Sequence, residues 1–221
     1  MITTGDLAIL GFTVWTSCLA ILLASPPAII LAYRSARGES KWWSLVDVLS
    51  TLPLAIPPVA VGLFLLQLLS TQYIPGQWLY TLGLEVPFTW KAVVLALSVM
   101  SFPLIYRPAR TTFQRLDHRY IKMSEGFGYS PLQTFFRTTL PLARSGLISG
   151  LFLGWARALG EFGATIILAG NIPGRTRTLS LAIFHRFQMG NDTGAIRLAL
   201  LTALGTAGLV YLSRWFGEER G

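Results

Sequence analysis

Five apolar runs, joined by short basic segments, constrain this chain more than anything else in its sequence. They cover roughly 7–33, 45–69, 90–106, 145–169 and 196–216. A helix needs about 20 apolar residues to cross the hydrocarbon of a bilayer, and each run approaches or exceeds that length. The expected fold is an all-α integral membrane protein with about five transmembrane helices. Residues 178–190 are amphipathic but too short to span, which predicts a short re-entrant or interfacial helix. Residues 119–144 are charged and lie between two apolar runs, so they must sit outside the hydrocarbon. They too are amphipathic, and Phe127, Tyr129, Phe135 and Phe136 are available there for contact with another protein.

Composition supports a membrane reading. The chain is 52% hydrophobic and 13% charged, against about a quarter charged in a soluble domain. A net charge of +8 would suggest nucleic acid in a soluble protein. Here the basic residues fill short segments between apolar runs and form no recognisable binding module, so no nucleic-acid partner is expected. If the five runs all cross, segments 34–44, 107–144 and 214–221 share one side and carry twelve Lys and Arg, including Arg220; the other side carries five. The positive-inside rule then places the N-terminus outside and the C-terminus in the cytoplasm. Four of those five, Arg175, Arg177, Arg186 and Arg197, follow the fourth run and oppose the rule. The start of the chain has Asp6 instead of a basic segment, which favours a retained first span over a cleaved leader. No linker or repeat divides the sequence, so 1–221 reads as one domain with its core at about 10–214.

Enzyme chemistry finds no foothold. Cys18 is the single cysteine and both histidines are isolated, so neither an internal disulfide nor a metal site is expected. There is no phosphate-binding loop, no metalloprotease motif and no nucleophile elbow. A transport subunit without its own ATPase site, cofactor or metal is expected, with its energy drawn from another subunit or an ion gradient.

Three constellations remain. Pro53, Pro57 and Pro58 interrupt the second run; each removes a backbone donor, which fits either a broken helix beside a pathway or a packing kink. Arg157 and Glu161 are four apart and so share a helical face. They read as a structural ion pair or as a pair that rearranges when a pathway opens. Gly160, Gly163 and Ala164 beside them allow close helix approach. Finally, Arg175 and Arg177 lie in a Pro-Gly turn with two threonines, suited to attracting an oxyanion, contacting a partner or packing the loop.

Segment 122–141 resembles the cytoplasmic signature loop of importer-type ATP-binding-cassette permeases. Gly128 and Leu140-Pro141 match at the family spacing, Thr138 stands where Ile is usual, and Lys122-Met123-Ser124 replaces Glu-Ala-Ala with Glu125 three places on. Segments 52–62, 100–104, 156–166 and 170–183 narrow the resemblance to the molybdate permeases, with sulfate and tungstate permeases as close relatives. The resemblance implies two copies of the chain forming the pathway in the plasma membrane. It also implies two cytoplasmic ATPase subunits and an external binding protein that delivers the oxyanion. Ser124, Glu125, Gly128, Tyr129, Ser130, Leu140 and Pro141 would then form a short coupling helix against the ATPase. Pro57, Pro58, Gly160, Gly163 and Thr165 are candidates for the pathway or its gate, with Arg175 and Arg177 at its outer mouth. The other classes considered are a self-sufficient secondary transporter or channel, for which Glu161 is the only intramembrane acid, and a non-transporting scaffold.

Overall fold

A computed structural model describes residues 4–38 and 40–217; Arg220 of the charge balance lies outside them. All the regular structure among the described residues is helical, without a strand. In order the helices are α1 (Thr4–Arg37), α2 (Lys41–Ala55), α3 (Pro58–Leu69), α4 (Ile74–Thr81) and α5 (Trp90–Arg115). They continue with α6 (His118–Gly126), α7 (Pro131–Thr134), a π-helical turn (Phe135–Thr139), α8 (Leu140–Leu142) and α9 (Arg144–Leu159). The last are α10 (Gly163–Leu168), α11 (Leu179–Gln188) and α12 (Asp192–Gly217).

All five apolar runs are helical, but not all are continuous. Among the described residues α1, α5 and α12 are each long and apolar enough to cross alone. The second run breaks at Ile56-Pro57, and α2 and α3 meet at 113°. Pro57 and Pro58 both lack the N–H that would continue α2, while Pro58 suits the first turn of a new helix. The fourth run stops at Leu159, passes through Gly160-Glu161-Phe162 and resumes as α10. The helix expected at 178–190 is α11. Helix α4 was not anticipated; Pro75 sits in its first turn.

Prolines inside α1 do not break it. Pro26 leaves the Leu22 carbonyl without its usual partner, and the Ser25 hydroxyl donates to that carbonyl at 3.4 Å. Ala20, Ala24, Ala28 and Ala32 recur every fourth residue on one face of α1, and all are buried. Such a small-residue stripe lets α5 and α9 approach closely. The Ser98 hydroxyl of α5 donates to the Ala20 carbonyl at 3.1 Å, and Tyr106 and Ser35 share a hydrogen bond of 2.8 Å. Helix α5 is thus the central post of the bundle.

The bundle has two ends. At one, Asp6 of α1 meets Arg186 of α11 in an ion pair, with Asp6 fully buried. At the other, Tyr33 of α1 stacks edge-on against Phe113 of α5 and Phe135 of the π-turn. These are called the Asp6 end and the Gly128 end below.

Candidate functional site

The Gly128 end carries the candidate coupling segment. It is not one short helix but a pair, α6 and α7, joined by a tight turn. Asp117 caps α6, accepting from the Arg119 N–H at 2.9 Å. Gly128 ends the turn at φ 84°, a left-handed conformation that glycine adopts without strain. Ser130 then opens α7 with a capping box: its hydroxyl accepts from the Gln133 N–H, and the Gln133 side chain accepts from the Ser130 N–H. Ser124 and Thr138 close the pair through a 2.6 Å hydroxyl bond. The residue standing where the family has Ile therefore holds the one standing where it has Ala.

This fold sorts the segment's side chains. Phe135 turns inward to Tyr33 and Phe113, whereas its neighbour Phe136 points out, the two rings meeting at 81°. Phe127 is 77% exposed, Leu132 68%, Met123 60% and Phe136 57%. Arg137 lies 5.3 Å from the centre of the Tyr129 ring, in cation–π range. Glu125, Gly128, Tyr129, Ser130 and Pro141 are exposed, Leu140 is half-buried and Ser124 is buried. Leu132 and Met123 were not singled out from the sequence. Their apolar character is unremarkable there, and only the fold reveals that both are exposed.

The second candidate region is the seam between α3 and α10. Pro57 caps α3 and is exposed, while Pro58 packs on Gly163. A Cβ at Gly163 would stand 2.8 Å from the Pro58 Cβ, and one at Gly62 would stand 2.7 Å from the Ala164 carbonyl oxygen. Glycine at both sites permits the approach of the two backbones. Thr165 is fully buried in this seam, and its hydroxyl has no hydrogen-bond partner among the described residues. Gly160 does not join the seam. It is exposed and faces a groove of about 780 Å³ lined by Ser180, Thr202 and Thr206.

Arg157 and Glu161 pair at 2.6 Å. They do not lie along one helical face, because α9 ends between them at Leu159. The Glu161 carboxylate turns back to Arg157 with one oxygen and accepts from the Ala164 N–H at 2.8 Å with the other. One buried acid thus balances a cation and caps α10, where a negative charge is favoured.

At the Asp6 end, the loop 170–178 is folded on itself. The Thr176 hydroxyl accepts from the Ile172 N–H and donates to the Gly170 carbonyl. Arg177 donates to the Asn171 side chain at 2.8 Å, while Arg175 is exposed. Arg186 is engaged by Asp6. Arg177 and Arg186, which oppose the charge rule, therefore have structural partners, and the residue that explains Arg186 lies 180 positions away.

Residues 28–218 match the family described as the binding-protein-dependent transport system inner membrane component. The chain belongs to this family. It is a multi-pass inner-membrane permease. Over 205 residues the permease is 39% identical to the molybdenum transport system permease protein ModB of Escherichia coli strain K12, covering 91% of this chain and 89% of that protein. With ModB of Haemophilus influenzae it shares 36% identity over 202 residues, 90% of this chain and 88% of that one. The sulfate transport system permease protein CysT of Escherichia coli strain K12 is 34% identical over 160 residues, covering 72% of this chain and 58% of that protein. Among solved structures, the inward-facing MetNI methionine ABC transporter aligns over 98% of this chain and 92% of its own, with TM-score 0.69 and 18% identity. A bacterial alginate ABC transporter solved with its periplasmic protein aligns over 96% of this chain and 77% of its own, with TM-score 0.67 and 19% identity. Both share the permease fold.

Proposed function

We propose that the permease is the membrane subunit of an ATP-driven molybdate importer. The observation that carries this reading is the likeness to molybdenum permeases, 36–39% identical over about nine-tenths of the chain, against 34% identity over 72% of the chain for one sulfate permease and 30% over 97% for another. Two copies form the pathway, the N-terminus is outside, and the Gly128 end faces the cytoplasm. Two ATPase subunits bind there, each receiving the exposed ring of Phe127, Leu132 and Phe136 with Glu125, Gly128, Tyr129 and Ser130 around it. Ser124, Leu140 and Pro141 brace that surface from behind.

ATP-driven closure of the ATPases draws the coupling segments together. Phe135, wedged between Tyr33 and Phe113, passes the movement to α1 and α5, and the bundle switches between two packings as a rigid body. The seam of Pro58, Gly163 and Thr165, with Pro57 at its edge, forms one wall of the route, and Gly160 faces its lumen. The Arg157–Glu161 pair fixes the break between α9 and α10. Arg175 and Arg177 receive the external binding protein that delivers the oxyanion.

Sulfate or tungstate remains the second reading, supported by the sulfate permease relative. A self-sufficient transporter is disfavoured because Glu161 is already committed to Arg157 and the Ala164 N–H. The test is ATPase activity of the reconstituted complex with each oxyanion presented on its binding protein. Molybdate should stimulate most. Equal or greater stimulation by sulfate overturns the molybdate assignment, and oxyanion flux without any ATPase overturns the subunit assignment.

A further inference from the structure

A groove of about 770 Å³ runs between α1, α2 and α5, its wall almost wholly apolar. Leu19, Leu23, Leu49, Val94, Leu95 and Phe102 give it its character. The one hydroxyl it borrows from α5, Ser98, already donates to the Ala20 and Val94 carbonyls. The groove is therefore suited to a hydrocarbon chain.

One end of the groove is different. Trp90 and Lys91 line it, and the same two residues line a second, polar cavity of about 420 Å³ with Thr89, Glu85 and Arg175. Two cations face one carboxylate there, so the cavity carries net positive charge. It also abuts the first turn of α5, whose N-cap Thr89 supplies no side-chain cap, and such a terminus favours anions. Trp90 meets Trp15 at 5.3 Å between ring centres, the planes tilted by 56°, and paired tryptophans of this kind mark the headgroup level of a bilayer. Lys91 and Phe102 both line the groove and lie eleven residues apart on α5, or about 16 Å along a helix. One leaflet of hydrocarbon is about 15 Å deep. The charged mouth, the aromatic level and the length agree.

We infer that this groove is a binding site for one anionic phospholipid, with an acyl chain along α5 and the phosphate at Lys91. The site does not depend on which oxyanion the permease carries.

The test is native mass spectrometry of the purified assembly after equilibration in an equimolar mixture of phosphatidylglycerol and phosphatidylcholine. Phosphatidylglycerol should be retained about fivefold over phosphatidylcholine, as one basic contact near a headgroup allows. Lys91→Glu should bring that ratio to about one, while Lys91→Arg keeps it. Leu95→Trp, which fills the groove, should lose both lipids. A photoreactive residue at position 95 reads the occupant directly, without relying on a filled groove that folds. A lipid adduct is expected; an adduct to a second copy of the chain overturns the inference. So do equal retention of the two lipids by the wild type, an unchanged ratio in Lys91→Glu, and displacement of phosphatidylglycerol by millimolar molybdate or sulfate.

Discussion

The coupling segment and the α3–α10 seam use similar residues to opposite ends. Both contain glycines, prolines and a carboxylate near a helix terminus. The seam is packed within one chain, the Thr165 hydroxyl alone being left without a partner among its described groups: beside it Glu161 is 1% exposed, paired with Arg157 and accepting from the Ala164 N–H, and Gly62 and Gly163 disappear into contacts with the facing helix. The coupling segment is rigid in its backbone yet leaves its largest apolar side chains in the open. Even the glycines differ. Those of the seam are required by space, since a Cβ would collide. Gly128 is required by conformation alone, for its Cβ would meet nothing within 4 Å. A region complete in itself sets the internal geometry; under the proposed function, the open one is completed by the ATPase and receives its force.

Substitutions sharpen that contrast. The largest effect is expected for Glu161→Ala, which strands Arg157 and uncaps α10. Loss of one partner of a buried ion pair costs about 3–5 kcal/mol. Thermal unfolding in detergent should show the fall in stability, and a loss no greater than that of a surface substitution would remove Glu161 from the centre of the seam. Next comes Phe127→Asp or Leu132→Asp. Affinity for the ATPase should drop about 30-fold, the effect of losing an interface hot spot, with Tm unchanged. A parallel fall in Tm would mean that these side chains support the permease itself.

Gly62→Ala should cost about 1–3 kcal/mol by overpacking against Ala164, read by Tm and accompanied by reduced uptake. The smallest effect is expected at Gly128. Both Gly128→Ala and Gly128→Leu should cost about 1 kcal/mol, the price of a left-handed side chain, and cost it equally because the site is open. Any further loss of ATPase affinity in the Leu variant then measures the contact with the partner, separately from strain.

Much of this was legible in sequence because membrane solvation is severe. Apolar length alone located all five helical runs, and charge set residues 119–144 apart from them. Proline was less decisive. Pro57-Pro58 broke the second run, as the local loss of donors suggests, but Pro26-Pro27 left α1 intact. The difference lies in what surrounds them: a serine hydroxyl one residue before Pro26, and an alanine face held against α5. The spacing of Arg157 and Glu161 pointed to the right pair through the wrong geometry. Residues four apart on an unbroken helix meet by periodicity, whereas these meet because the chain turns at Gly160 and the carboxylate reaches back. Neither the Asp6–Arg186 pair nor the exposure of Met123 and Leu132 has any local signal. Each depends on contacts that exist only after the chain has folded.

The Asp6–Arg186 pair has a consequence for biogenesis. The two residues are 180 positions apart, and a ribosome adding about 5–20 residues per second needs roughly 10–40 s to travel between them. For that interval the first helix is in or near the bilayer while the guanidinium that will face its Asp6 does not yet exist. The end of α1 first made is therefore among the last to reach its final environment. Its seating is a late checkpoint of assembly, met only when the last turn of α11 arrives.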